Sequence, residues 1–456
     1  MEYSDVSRRY PVFYYHDFAI IESEDELHVQ FDFEIEGLSH FNPDFILAKP
    51  AGGATYANLR TVREAAFSLG LMELISYWKL TCAPTVIVEC GQLDSAQTAW
   101  WKKLYYNGLG EFFFKNGIEA DQDSFMDLRS TGEPITGHVD QRRFSGNLIP
   151  VGGGMNSLVS LQLLSGMKEE NHAFIINHVM AAVHSAEAAG YTGEKRIIAE
   201  RTIDIRMLEF NKEGFLNGHT PFSALCAFAA SLTAVIYGIQ NICLSNEASA
   251  NDYEITGRKV NHQYSRTFAF ERDFKQYMDT YITPEVHYFS LLRPLTQLQT
   301  AGMFSVMEDY HPVFCSCNTG KKEDRWCGRC AKCLFVCVML SAYLSDDRLT
   351  SIFGTDMLND ESMQDMLNQL AGIPDGDPSA CTDTQEEINT AIAMSIRSHE
   401  RNGMPLPKLY QNYASTSYYE YYRRKDTDWN QFNTENLVPE EYQKLLRQRL
   451  EEMKDR

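Results

Sequence analysis

The N-terminal part of the chain shows two kinds of apolar spacing. Residues 10–22 and 27–35 alternate between apolar and polar positions, and an acidic turn at 23–26 separates them, so they predict a β-hairpin. From residue 59 to 78 the apolar positions recur at helical spacing, and residues 85–89 form a short apolar run that is typical of a buried strand. Residues 1–140 are therefore predicted to form an α+β domain.

Strand patterns and helix patterns alternate from residue 146 onward. This order predicts an α/β domain whose parallel sheet is covered by helices on both faces. We assign this domain to residues 141–345 and a helical C-terminal region to residues 346–456. The predicted strands are 146–151, 172–177, 196–204, 240–245 and 285–289, and the predicted helices begin near Ser157, Val179, Pro221 and Arg266.

Three consecutive glycines, Gly152, Gly153 and Gly154, lie between the first of these strands and the helix near Ser157. Glycine allows positive φ angles and lets a ligand approach the backbone closely. The amides and the dipole at a helix start attract phosphate. The spacing lacks the lysine of a P-loop kinase and the G-x-G-x-x-G of a dinucleotide fold. We predict a phosphate-binding loop of another kind, with a simple tight turn as the alternative.

Polar residues follow the predicted strand at 240–245, and ligands of parallel sheets bind at the carboxyl ends of strands. This rule brings the glycine loop, the residues after Asn177 and the stretch 245–251 to one predicted site. Glu247 is then a candidate to hold a metal ion or a substrate amine, or it is an ordinary solvated loop residue. His262 precedes a predicted helix and is a candidate proton carrier, with capping or packing as its alternative role.

The net charge of −21 excludes nucleic acid as the main partner, because phosphate binding needs a basic face. The N-terminus lacks a basic segment followed by an apolar core, and no run of about 18 apolar residues occurs elsewhere. We therefore expect a cytoplasmic protein that does not enter a membrane. In that compartment eleven cysteines, five of them between Cys315 and Cys333, indicate metal binding rather than disulfides.

Four cysteines show the spacing of a metal site, C-x9-C-x2-C-x2-C. Four thiolates at such spacing suit tetrahedral Zn²⁺, which we prefer to an iron–sulfur cluster or to unbound thiols. Gly328 would let the backbone turn tightly around the ion, and Cys315 is a reserve ligand. The predicted ligands are Cys317, Cys327, Cys330 and Cys333.

Residues 152–157 resemble the PP-motif, S-G-G-x-D-S, of the ATP pyrophosphatases, which cleave ATP between its α and β phosphates. Asn156 stands where that motif has Asp, and Met155 occupies its variable position, where relatives carry Lys. The loop and the cysteine cluster together are similar to those of the 7-cyano-7-deazaguanine synthases. The N-terminal α+β domain, the Gly-Gly-Gly-x-x-Ser wording of the loop and the residues around the cysteines resemble more closely the UDP-N-acetyl-α-D-muramoyl-L-alanyl-L-glutamate epimerases.

This resemblance implies a PP-loop domain, with an adenine nucleotide alpha hydrolase-like fold, that binds ATP and Mg²⁺ and carries a structural Zn²⁺. The implied enzyme is an isomerase of peptidoglycan synthesis. It activates the terminal glutamate of UDP-MurNAc-L-Ala-L-Glu as an acyl-adenylate, inverts its Cα from L to D, and releases AMP and pyrophosphate. A ligase that adds L-Glu to UDP-MurNAc-L-Ala is its implied functional partner. The residues implied to bind ATP are Gly152, Gly153, Gly154, Asn156 and Ser157.

The implied catalytic residues include Cys381, which lies where the family has a cysteine in a short Pro-containing loop. Cys381 and His262 are the candidates for the proton transfers at Cα, and Glu247 is the third candidate catalytic residue. Two other hypotheses stay open. One is a different adenylating or amide-forming enzyme on the same fold, and the other is a protein that binds nucleotide or precursor without turnover. Met155, Asn156 and Asp377 favour the second, because each stands where relatives carry another, charged residue, whereas the complete cysteine set and the unbroken glycine loop favour a maintained site.

Overall fold

The computed structural model describes residues 1–52, 54–251, 264–317, 319–320, 323–375 and 382–455. The strands are β1 Val12–Glu22, β2 Glu26–Ile35, β3 Ser39–Phe41, β4 Asp44–Ala48, β5 Thr85–Val88, β6 Asp127–Ser130, β7 Asn147–Pro150, β8 Asn171–Ile176, β9 Arg196–Arg201, β10 Asn241–Leu244 and β11 His287–Ser290.

Helices follow most of these strands and make up most of the C-terminal region. They are α1 Tyr3–Arg9, α2 Arg60–Trp78, α3 Ser95–Gly108, α4 Gly110–Lys115, α5 Met155–Leu163, α6 Met180–Ala188, α7 Ile205–Lys212, α8 Phe222–Tyr237, α9 Phe268–Tyr277, α10 Gln297–Ser305, α11 Ala331–Ser341, α12 Asp346–Phe353, α13 Gln364–Leu370, α14 Asp383–Asn402, α15 Lys408–Ala414, α16 Ser417–Tyr422 and α17 Glu440–Lys454.

The chain forms two compact units, each built from separate segments. The first consists of the described parts of Met1–Leu148, Ile197–Ile242 and Tyr253–Tyr288, and the second of the described parts of Ile149–Arg196, Cys243–Asp252 and Phe289–Arg456. The domain boundaries near residues 140 and 345 stay predictions. The mixed α/β class and the helical C-terminal region are confirmed.

The first unit contains a sheet with the strand order β9-β4-β2-β1-β5-β6, and β3 also pairs with β2. The predicted hairpin is confirmed, since β1 and β2 pair antiparallel. The other edge of β1 pairs in parallel with β5, which is the predicted strand at 85–89. β9 pairs antiparallel with β4, a partner that the alternating pattern of strands and helices does not indicate.

Helix α2 is buried on more than the single face that its apolar spacing predicts. Every residue from Ala65 to Trp78 is buried. The helix packs against β1 and β2 and also against α8, so both sides are covered. Glu73 lies within this buried stretch and accepts hydrogen bonds from Arg201 Nε and Nη2 at 2.7 and 2.6 Å. This pairing satisfies a charge that would otherwise be costly to bury.

The second unit includes β8 and the carboxyl ends of β7, β10 and β11, in the order β11-β10-β7-β8. β7 and β10 pair in parallel, so their carboxyl ends lie at the same edge. Helix α5 follows β7 and helix α6 follows β8, within a few residues of the predicted starts. The glycine loop connects β7 with α5 at this edge. No helix in the described ranges has both the length and the apolar character that crossing a membrane requires.

Candidate functional site

The glycine loop combines one tightly packed position with one open position. Gly153 has a φ of +84°, and a Cβ atom there would lie 2.6 Å from the backbone carbon of Ala181. Both the conformation and the close packing therefore require glycine. Gly152 is exposed, and no atom lies within 4 Å of where its Cβ would be. The loop thus has an open side at the start of α5, where backbone amides and the helix dipole favour an anion.

Asn156, in the first turn of α5, contacts Glu247 in the segment that follows β10. Asn156 Nδ2 donates a hydrogen bond of 2.6 Å to Glu247 Oε2 and one of 3.3 Å to the Ser245 carbonyl. Gln297 Nε2 donates to Asn156 Oδ1 at 3.2 Å. Glu247 is only 6% exposed. The structure therefore brings together two predicted site residues, Asn156 and Glu247, and adds Gln297.

The segment around Glu247 is held from several sides. Arg293, which is fully buried, donates from Nη1 to the Glu247 carbonyl oxygen at 2.8 Å. The Ser160 and Ser245 hydroxyl oxygens lie 2.8 Å apart, which ties the segment to α5. Thr384 Oγ1, in the first turn of α14, donates to the Ser249 carbonyl at 3.5 Å. These contacts hold the backbone around Glu247, while the hydrogen bond from Asn156 positions its carboxylate at the first turn of α5.

The remaining loop residues have different surroundings. Ser157, 7% exposed, donates from Oγ to the Gly154 carbonyl at 2.8 Å and so closes the first turn of α5. Met155 is 5% exposed, so its side chain is packed rather than directed into solvent. His262 and Cys381, the candidate proton carriers, lie outside the described residues.

The four predicted cysteine ligands converge. Their sulfur atoms all lie within 4.8 Å of one another. The Cys317–Cys330, Cys327–Cys333 and Cys330–Cys333 sulfur distances are 4.0, 3.7 and 3.4 Å. Zn–S bonds of about 2.3 Å in a tetrahedron separate the sulfurs by about 3.8 Å, so the donor set fits Zn²⁺. Cys315 is not part of this group.

Backbone groups around the cluster favour thiolates. The amides of Gly320 and Cys327 donate to Cys317 Sγ at 3.1 and 3.4 Å. Burial raises the pKa of the Cys327 thiol, but the Arg329 amide and the other thiols of the cluster outweigh burial and lower it to about 6, whereas burial and the Cys330 thiol raise the pKa of Cys333. Gly328 has a φ of +66°, and a Cβ there would clash with Thr355, which confirms its predicted role in the turn.

The cysteine cluster is joined to the glycine loop through the residues that precede Cys317. The Cys315 amide donates to the Gly153 carbonyl oxygen at 2.8 Å. A Cβ at Gly154 would lie 3.2 Å from the Ser316 Cβ. A second link joins His184 Nδ1 on α6 to Asp324 Oδ2 within the cysteine segment, at 2.8 Å. The two sequence motifs therefore form one continuous structure.

Comparison with known proteins supplies the family. A model described as the MurL N-terminal domain matches residues 4–291, and one described as the MurL C-terminal domain matches residues 313–420. The chain belongs to the MurL family. The resemblance to epimerases, which rested on the N-terminal domain, the glycine loop and the residues around the cysteines, is thus confirmed.

Curated relatives agree with this MurL assignment. The UDP-N-acetyl-alpha-D-muramoyl-L-alanyl-L-glutamate epimerase of Xanthomonas oryzae pv. oryzae is 29% identical over 367 residues, which cover 77% of this chain and 80% of the relative. The protein of the same name from a Micromonospora species is 30% identical, with 79% and 80% covered. Epimerases are isomerases, so the MurL chain described here is an enzyme of that class. No solved structure matches it significantly.

Proposed function

We propose that this MurL-family chain is an ATP-dependent epimerase that inverts the terminal L-Glu of UDP-MurNAc-L-Ala-L-Glu to D-Glu, in peptidoglycan synthesis. The observation that carries the proposal is the Asn156–Glu247 pair beside an open glycine loop at the start of α5. This arrangement suits a nucleotide whose phosphates need both amide donors and a metal ion. The proposal includes a PP-loop fold for the domain that carries the loop.

The triphosphate of ATP would bind at the open side of the glycine loop. Gly152 leaves room for a phosphate, and the amides at the start of α5 would donate to its oxygens. Gly153 and Gly154 set the path of the backbone, while Ser157 holds the first turn. We therefore assign ATP binding to Gly152, Gly153, Gly154, Asn156 and Ser157.

Glu247 would supply the negative charge that the PP-motif loses at Asn156. Mg²⁺ prefers carboxylate oxygens, and Glu247 Oε2 lies 2.6 Å from Asn156 Nδ2, close to where the aspartate of the motif would lie. The amide oxygens of Asn156 and Gln297 are further oxygen donors at this place. A bound Mg²⁺ would neutralise charge on the phosphates, and Glu247 would orient it.

The proposed reaction begins when the α-carboxylate of the terminal glutamate attacks the α-phosphorus of ATP and pyrophosphate leaves. The resulting acyl-adenylate stabilises a carbanion at Cα better than a carboxylate does, so an ordinary base can remove the Cα proton. A second group returns a proton to the opposite face. Water then cleaves the adenylate to AMP and the D-configured carboxylate, so that one ATP and one water are consumed.

Cys381 and His262 remain our candidates for the two proton transfers. The described helix that follows Cys381 in the sequence, α14, is linked through Thr384 to Ser249, two residues after Glu247. A thiol and an imidazole can each exchange protons near neutral pH when their surroundings adjust the pKa. Cys381→Ala and His262→Ala should each abolish inversion while AMP release persists.

The direct test is incubation with ATP, Mg²⁺ and UDP-MurNAc-L-Ala-L-Glu, followed by analysis of glutamate chirality and AMP. We expect D-Glu and AMP to appear together, and neither to appear without ATP. AMP release without a change of chirality would instead support another adenylating or amide-forming enzyme. ATP binding with neither product would support a binding protein, the hypothesis that Met155 and Asn156 favour.

Gly152→Ala should weaken ATP binding at least about tenfold without lowering the unfolding temperature. The new methyl group meets no protein atom within 4 Å, but it would occupy the open side where a phosphate would bind. Gly166→Ala is a matched control, because its added methyl group is equally free of contacts and lies outside the loop. Equal ATP affinities in both variants, measured by calorimetry, would contradict the assigned phosphate site.

The proposed partners and location follow from the substrate. A ligase that adds L-Glu to UDP-MurNAc-L-Ala would supply the substrate of this enzyme. The enzyme would bind ATP and this precursor in the cytoplasm. The net charge of −21 gives no support for nucleic acid as a partner. We further propose that Zn²⁺ is held by Cys317, Cys327, Cys330 and Cys333 in a structural role.

A further inference from the structure

A second group of metal-ligand side chains lies in the first unit, on the outward face of the sheet. Along β2 the side chains alternate, so that Phe33 and Ile35 are buried while Asp32 and Glu34 lie on the opposite face. On β1 the register with β2 shifts between Tyr15 and Asp17, which makes His16 the extra residue of a β-bulge. Bulges redirect side chains and are common beside functional sites.

Glu34 is the centre of this group. Its Oε2 atom lies 2.8 Å from His16 Nε2, across the hairpin, and 3.5 Å from His40 Nε2, on the directly paired position of β3. One ligand atom from each of the three residues lies within 4.8 Å of the other two. Three strands thus bring two imidazoles and one carboxylate to a single point.

The second nitrogen of each imidazole lies near a further carboxylate. His16 Nδ1 lies 2.6 Å from Glu89 Oε2, just after β5, and His40 Nδ1 lies 3.6 Å from Asp32 Oδ1. A histidine that binds a metal usually donates its other N–H to a carboxylate, which fixes the tautomer and makes the ligand nitrogen more basic. Without an ion, His16 Nε2 donates to Glu34 at 2.8 Å, and a bound ion would take the place of that proton while Nδ1 stays protonated beside Glu89.

We propose that His16, Glu34 and His40 form a site for a divalent transition-metal ion, with Zn²⁺ as the best-suited ion. Imidazole ligands favour Zn²⁺ over Mg²⁺ and Ca²⁺, which prefer oxygen. The His40 side chain is 54% exposed, so the ion keeps a coordination position open to solvent or to a ligand oxygen. Two histidines, one carboxylate and an open position are the ligand set of catalytic zinc sites.

The test is calorimetric titration of the purified full-length chain, already loaded with zinc at its cysteines, with further Zn²⁺. We expect one additional Zn²⁺ per chain. His40→Gln and Glu34→Gln should each weaken this binding by about a hundredfold, and Glu89→Gln should weaken it by about tenfold through His16. The unfolding temperature of the wild type, but not of His40→Gln, should rise with added Zn²⁺.

His28→Gln is the matched control, because His28 is a histidine of β2, the strand of Glu34, and pairs only with Glu26 among the ion pairs of the described residues. It should bind zinc as the wild type does. If the wild type takes up no further Zn²⁺, or if His40→Gln and His28→Gln bind it equally, the group is an ion-pair network and the site does not exist. His40 is exposed, so its variant will fold even if substitution of His16 disturbs the bulge.

Discussion

Glu247→Gln is expected to slow AMP release by about a hundredfold, which corresponds to about 2.7 kcal/mol of barrier. Glutamine keeps the shape of the side chain, and its amide oxygen can still accept the hydrogen bond from Asn156 Nδ2. What is lost is the charge that would hold Mg²⁺ against the phosphates. The measurement is AMP release against Mg²⁺ concentration, in which the variant should need far more Mg²⁺ or fail to saturate.

The control for this prediction is Glu308→Gln, which removes a negative charge from an exposed position outside the site. It should leave the Mg²⁺ dependence unchanged, so a general effect of net charge would be visible there. Full activity of Glu247→Gln at low Mg²⁺ would show that another residue binds the ion. The assignment of Glu247 would then be withdrawn, while the glycine loop could still bind ATP.

The reciprocal change, Asn156→Asp, tests the same pair from its other side. It would bring two carboxylates to the 2.6 Å contact that the amide now bridges, so stability without metal should fall. Mg²⁺ should then raise the unfolding temperature more than in the wild type, and AMP release should rise about tenfold, or about 1.4 kcal/mol. Met155→Lys should not be combined with it, because residue 155 is buried and burying the lysine ammonium group there is unfavourable.

Local patterns predicted most of the elements. The β1–β2 hairpin, α2 and the glycine loop between β7 and α5 each depend on spacing within a few residues, and all three are present. The partner of β9 and the burial of α2 on all sides from Ala65 to Trp78 were not predictable, because both depend on distant segments. The period of apolar residues shows which face of α2 is most apolar, but it does not show that α8 covers the other side.

The candidate site was predictable where a motif or a topological rule applied. The spacing of the cysteines was sufficient to predict that they converge. The rule that ligands bind at the carboxyl ends of strands predicted that Glu247 lies near the glycine loop. Gln297 and Arg293 were missed, because both reach the site through long-range contacts and belong to no motif. His16 was missed for a different reason, since a strict alternation along β1 does not reveal the bulge.

The double variant Cys327→Ser/Cys330→Ser should lose its zinc and, with it, much of its affinity for ATP. The free energy of metal binding at such sites contributes directly to folding. Without the metal, the segment around the cysteines should therefore lose its fixed structure. That segment supports the glycine loop directly, through the hydrogen bond from the Cys315 amide to the Gly153 carbonyl. We expect the variant to hold one zinc fewer per chain than the wild type and to bind ATP at least about tenfold more weakly.

Cys315→Ser separates this explanation from a general effect of removing thiols. Cys315 is buried beside the cluster but is not one of its four ligands, and its link to Gly153 uses the backbone amide, which the substitution keeps. The variant should therefore retain the zinc content of the wild type and nearly normal ATP affinity. A double variant with the same zinc content as the wild type would exclude these ligands. Zinc lost with ATP affinity unchanged would instead mean that the glycine loop keeps its shape without the metal, because the close packing of Gly153 on Ala181 is sufficient to hold it.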